Sequence, residues 1–230
     1  MSKSISIKNV FKEIEKSDKS VYHRGKSWEH CYKFFRRYKK LRNDKLLMDY
    51  AALHLGFFLA SWGMLRGSSF LLQQDYKFYI PLIRVLVKKE RDRLWNLNFY
   101  KLLKERKIEE TLDCLFGLKE DLKNEITKNN LDNKMPTDLL ITKIIMATMG
   151  CTPAYDRYFK IGLNKKIDSK NKRGFSSFNK KSFKKLLDFV GKDVELKKIY
   201  NKTHFIQGTK IKYPPMKLLD LYFWLLGSQK

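Results

Sequence analysis

Apolar residues along this chain recur at intervals of three and four, and alternating runs of period two are nearly absent. That pattern predicts an all-α protein. Residues 5–17 read as a short amphipathic helix. Residues 26–42 place Trp28, Tyr32, Phe35 and Lys39 on one side, with mostly basic positions between them. Asn43 or Asp44 is placed to cap a long helix running to about residue 64. This helix is the most apolar in the chain and is expected to be central and buried. Arg66-Gly67-Ser68-Ser69 reads as a turn or helix interruption. A helix over 77–95 carries Pro81 in its first turn, where the missing amide proton costs nothing. Two helices fill 96–128, and the acidic stretch from Lys107 to Thr127 is expected to form a solvated outer face. Pro136-Thr137-Asp138 opens a helix that Gly150 ends. Thr152-Pro153 is expected to open the next, which reaches about residue 163. A further helix spans about 180–190. The last follows Pro214-Pro215, with Leu218, Leu221, Tyr222 and Leu225 docking it on the core. The 230 residues suit one helical domain, or two packed lobes over about 1–135 and 136–230.

The longest apolar stretch, 51–65, falls short of the roughly 20 residues a membrane helix needs and contains His54. The N-terminus has no apolar signal core. Cys31, Cys114 and Cys151 are odd in number and widely spaced, which argues for a reducing compartment and no disulfide framework. The expected setting is soluble and cytoplasmic. No zinc-like ligand spacing accompanies His23, His30 and Cys31, and GxxxxGK[ST], HExxH and GxSxG are absent, so neither a metal nor a cofactor is expected.

Charge changes the picture. Lys and Arg number 49 against 24 Asp and Glu, a formal net charge of +25. Such an excess repels itself in the compact state unless something anionic binds it, and nucleic acid is the commonest such partner. DNA is favoured over RNA, and a membrane partner is not expected. The excess is concentrated from Arg157 to Lys212, with 17 Lys/Arg against 4 Asp/Glu, a net of +13. There Lys165, Lys166, Lys170, Lys172, Arg173, Lys180 and Lys181 are interleaved with Phe175, Phe178 and Phe183. Cations of this kind neutralise phosphates, and exposed phenylalanines stack on unpaired bases. The competing reading is a solvated loop whose phenylalanines belong to the core. A second basic surface includes Arg36 and Arg37 on the 26–42 helix. A third candidate is Arg66 with the amides of 67–69, which could hold a phosphate at a helix start, against a reading of Gly67 as a helix contact. Arg157 joins these as a candidate contact.

The one acid in "MGCTPAYDRYF", Asp156, has two readings. If Thr152 caps the helix, Tyr155 occupies the capping-box position and Asp156 falls one residue beyond it, gaining only from the helix dipole. The other reading comes from the stretch "TKIIMATMGCTPAYDRYF", in which a lysine-bearing helix, a small-residue turn and a Pro-x-x-Asp precede an aromatic helix. Over these 18 residues the chain resembles the helix-hairpin-helix DNA glycosylases. The resemblance implies a carboxylate at a helix start that stabilises positive charge at the sugar or activates the nucleophile. In some members it also implies a lysine that forms a Schiff base. Residue by residue, Asp156 would be the catalytic acid and Lys143 the lysine. The family's Gly-x-Gly hairpin is replaced here by "MPTDLLITK". Two further readings stay open: a non-catalytic nucleic-acid-binding or complex-forming module, and a helical ribonuclease built on Arg24 and His30.

Overall fold

The computed structural model describes residues 5–39, 44–95, 97–104, 108–130, 133–167, 175, 177–201 and 203–229. Among them lie eleven α-helices and no strand, apart from one antiparallel bridge between Phe205 and Lys212. In chain order these are α1 (Ile7–Asp18), α2 (Gly25–Arg37), α3 (Lys45–Ser61), α4 (Tyr79–Leu86), α5 (Phe99–Lys104), α6 (Ile108–Asn129), α7 (Asp138–Thr148), α8 (Arg157–Lys166), α9 (Lys180–Lys192), α10 (Lys198–Asn201) and α11 (Pro215–Ser228). The protein is all-α. No helix among the described residues is long and apolar enough to cross a membrane.

Local chemistry sets most boundaries. Asp44 caps α3 by accepting from the Leu47 amide at 2.9 Å, and the Thr137 hydroxyl caps α7 by accepting from Leu140 at 3.3 Å. Pro214 and Pro215 start α11 with φ already preset. Gly150 ends α7 at φ +68°, and its amide donates to the Ile145 carbonyl at 3.0 Å. A Cβ there would lie 2.5 Å from Pro214 Cγ and 2.9 Å from Tyr32 Cε2, so only glycine fits.

Buried side chains from α1 through α11 form one contiguous core. Its most enclosed element is α7, buried at every position from Leu140 onward. Helices α2 and α3 pack against α7 and each other, and α4 joins α3 to α6. The helix expected to be buried on all sides, α3, buries only one face, through Met48, Ala51, Ala52, Leu55, Phe58 and Leu59. Leu46, Tyr50, Leu53 and Phe57 stand exposed on the other, because the neighbours of α3 contact only one side of it. The 77–95 helix is shorter than expected. It stops at Leu86, and the chain continues as a 3₁₀ turn over Lys89–Leu94.

The acidic helix α6 is not simply an outer face. Leu112, Leu115, Leu118, Leu122 and Ile126 are fully buried on one side, an amphipathic spacing that the density of acids obscures. On its solvent side Glu109 and Asp113 pair with Lys180 (3.1 and 2.5 Å), and Glu109 also pairs with Lys184.

The pairing of α8 with α11 bears most on the site. Gly162 and Gly227 lie face to face: a Cβ on Gly162 would sit 1.9 Å from the Phe223 carbonyl oxygen, and one on Gly227 1.9 Å from that of Tyr158. The two backbones therefore touch, and this brings the start of α8 alongside the first turns of α11.

Candidate functional site

The start of α8 differs from expectation. Thr152 does not cap it and Pro153 is not its first residue. Residues 151–156 lie outside any helix, and Asp156 is the N-cap, its Oδ1 accepting from the Phe159 amide at 2.8 Å. The Ala154 amide donates to Asp220 Oδ1 at 2.9 Å, and the Tyr155 amide donates to the Thr142 hydroxyl at 3.2 Å. These bonds hold the segment before α8 against α11 and α7.

Asp156 lines a cavity of about 170 Å³ between α1, α2, α3, α7, α8 and α11. Lys143, carried on the buried helix α7, lines the same cavity. Trp28, Trp62 and Trp224 supply aromatic walls. Each tryptophan on the inner side is fixed: Trp28 donates to the Met146 carbonyl at 3.3 Å and Trp62 to the Ser27 hydroxyl at 3.1 Å. Trp28 stacks on Tyr32, ring centroids 5.0 Å apart. The Arg24 guanidinium lies 4.6 Å over the Trp62 ring, and Lys217 Nζ lies 5.4 Å from the rings of both Trp28 and Trp62. Most ligand pockets are larger, roughly 300–1,000 Å³. An apolar cavity of about 150 Å³ accepts benzene. This space therefore suits one planar ring system rather than a whole nucleotide.

Two acids and two lysines share the interior. Lys217 pairs with Asp220 at 3.0 Å, both less than a tenth exposed. Lys143 Nζ donates to the Trp62 carbonyl at 2.7 Å. Burial pulls the Lys143 ammonium below the ordinary lysine range, opposed by the Asp156 and Asp220 charges. Burial pushes the Asp156 carboxyl above the usual carboxylate range. Repulsion from Asp220 adds to this, while the Phe159 amide, Lys143 and Lys217 oppose it. Neither Arg66 nor Arg157 pairs with Asp156 among the described residues, so the acid is not the partner of a surface arginine. The arrangement can do two things. It presents a carboxylate whose second oxygen is engaged by no described residue, and a lysine biased toward its neutral, nucleophilic form.

The expected nucleic-acid contacts fare unevenly. Phe175, Phe178 and Phe183 are buried, and Phe178 packs against Phe116, Tyr155 and Phe183. They belong to the core and offer no exposed ring for stacking on bases. Lys165 is tied to the Leu226 and Gln229 carbonyls (3.2 and 2.8 Å), Lys166 to Asp193 (3.1 Å), and Lys180 to α6. Lys170, Lys172 and Arg173 lie outside the described residues. Arg66, Arg157 and Lys181 are exposed. Around Arg66 the chain turns at Gly63 and Gly67, at φ +71° and +59°. A Cβ on Gly67 would meet nothing within 4 Å, so Gly67 is not a helix–helix contact. Arg36 and Arg37 line a separate cleft.

Sequence reasoning missed Lys217, Asp220 and Trp224. The signal was available, since a Lys-x-x-Asp pair stands alone in the otherwise apolar run "PMKLLDLYFWLLG". Comparison with protein-family models, curated proteins and solved structures gave no match for this chain.

Proposed function

We propose that the protein binds DNA and cleaves the N-glycosidic bond of a displaced base, with Asp156 as the carboxylate at the reacting sugar. One observation carries the reading: Asp156 and Lys143 meet in a tryptophan-walled cavity the size of one planar ring system. A base drawn out of a duplex is read in this way, by aromatic stacking together with a few polar groups. As the bond to the base breaks, positive charge grows on the sugar. A carboxylate held in a dry site stabilises that charge far more than water does. The raised affinity of Asp156 for a proton follows from the same desolvation, and a cationic transition state would relieve it. Lys143, whose proton affinity burial lowers, is placed to attack the sugar C1′ as the bond from C1′ to the base breaks and the base leaves with a proton. Opening of the C1′–O4′ bond, with a proton passing from the lysine nitrogen to O4′, then gives an iminium that water hydrolyses to free the lysine. The net charge of +25 supplies the non-specific attraction to phosphates.

The test is a panel of duplexes carrying deaminated, alkylated, oxidised and mismatched bases, scored for abasic sites and strand breaks. The wild-type protein should act on at least one, and Asp156→Asn on none while still binding the duplex. A wild type inert on the whole panel, yet binding DNA, would leave a non-catalytic binding module as the function.

A further inference from the structure

Beside the Asp156 cavity, with Tyr213 lining both, lies a larger cleft of about 1,030 Å³. One wall is the C-terminal turn of α2, with Arg36 and Arg37. The other is a hairpin closed by bonds from the Ile206 amide to the Ile211 carbonyl (2.9 Å) and from the Tyr213 amide to the His204 carbonyl (2.8 Å). Lys210 and Lys212 stand on that hairpin. The lining therefore holds four cationic side chains and no carboxylate, and none of the four forms an ion pair with a described acid. This contrasts with Lys26, Lys166 and Lys217, which are each paired with an acid.

Arg36 is the telling member. Its Nη1 is buried and has no hydrogen-bond partner among the described residues, while its guanidinium lies 6.0 Å from the Tyr32 ring. A buried guanidinium donor without an acceptor is costly, and buried donors in folded proteins nearly always have partners. Turned toward the cleft that the side chain lines, the guanidinium would meet one in a bound anion. At the hairpin tip, Gly208 turns at φ +69°, and a Cβ there would meet nothing within 4 Å, so the tip stands open to an approaching backbone.

We propose that this cleft is a phosphodiester-binding site that seats the backbone of a nucleic-acid strand between Arg36–Arg37 and Lys210–Lys212, adjoining the Asp156 cavity across Tyr213. The choice of a strand rests on the nucleic-acid-binding part of the proposed function and not on its catalytic part. Arginine forks fix phosphate orientation, and the two hairpin lysines act as point charges.

The experiment measures oligonucleotide affinity as a function of salt, for single-stranded and duplex DNA, by fluorescence anisotropy. Three proteins are compared with wild type: Arg36→Gln/Lys212→Gln, Lys210→Gln/Lys212→Gln and Lys8→Gln/Lys12→Gln. The second touches only exposed hairpin positions, so it survives any folding defect of the first. The third removes the same charge from the exposed face of α1, outside the cleft. Both cleft variants should lose at least tenfold in affinity, and their log K against log salt slope should flatten by about 0.7–0.9 for each phosphate no longer neutralised. The α1 variant should stay within about twofold of wild type. Equal losses in all three would show diffuse charge and overturn the site. So would unchanged affinity in the cleft variants, or a wild type that takes inorganic pyrophosphate but no oligonucleotide. Excision measured on the same samples separates the two proposals: cleft-dependent binding without base release leaves this one standing and removes the catalytic one.

Discussion

Asp156 both caps α8 and faces the cavity, and two substitutions separate those roles. Asn keeps an Oδ1 able to accept from the Phe159 amide, the 2.8 Å bond that the carboxylate now makes, and Asn is as good an N-cap as Asp. Ala removes the bond. Loss of such a cap costs about 0.5–2 kcal/mol. For a chain of this length each kcal/mol shifts the midpoint by about 2–4 °C, so Asp156→Ala, which sheds the same charge and the cap as well, should melt roughly 1–8 °C below Asp156→Asn. Asp156→Asn should not melt lower than wild type. The proton affinity of this carboxyl is raised in the folded protein, chiefly by desolvation, so its charged form is disfavoured there. The associated stability is present below the ordinary carboxylate pKa and is lost as pH rises through the raised value. Asn lacks that loss. Its advantage over wild type should therefore open as pH rises across this window and vanish in acid. Calorimetric melts at several pH values check this. If Asp156→Asn melts as low as Asp156→Ala near neutral pH, the charge itself holds the fold together and the functional reading of Asp156 fails.

Borohydride should trap a covalent adduct between wild type and an abasic-site duplex, and Lys143→Gln should abolish it; an unchanged yield would exclude Lys143 as the amine. Asp220→Ala strands the buried Lys217 charge and frees the Ala154 amide, so urea unfolding should show a loss of about 3–5 kcal/mol. Gly162→Ala drives a methyl into the Phe223 carbonyl and should cost at least about 1–3 kcal/mol in the same assay. Native protein should give about one equivalent of fast thiol reaction, at half-buried Cys114. Cys31 and Cys151 are buried, and burial holds their thiols well above the ordinary cysteine range.

What could be read from the sequence depended on how local the cause was. Asp44, Thr137, Gly150 and Pro215 act within one turn of chain, and the boundaries they mark follow from residue type alone. The start of α8 does not, because Thr152 and Asp156 are both capping residue types, and the segment between them is held by Asp220, 66 residues from Ala154. The burial of Phe178 and the exposed stripe on α3 likewise depend on which elements lie alongside, and an apolar residue reads the same in either place. Lys143 was visible as the lone cation of an apolar helix. Its counterparts Lys217 and Asp220 had the same signature on α11, but only the Gly162–Gly227 contact brings them to Asp156. The basic segment was legible as charge. Its division into cations paired with an acid of this chain and cations with no acid partner among the described residues was not, because ion pairing depends on tertiary neighbours.

The most direct test of the account is a single-turnover measurement of free-base release, with protein in excess over a bound lesion-bearing duplex, so that neither association nor product release limits the rate. Wild type should release base, and Asp156→Asn should do so at a rate lower by about two to four orders of magnitude at equal occupancy of the DNA. Equal rates for the two proteins, or no release by wild type from any duplex it binds, would contradict it.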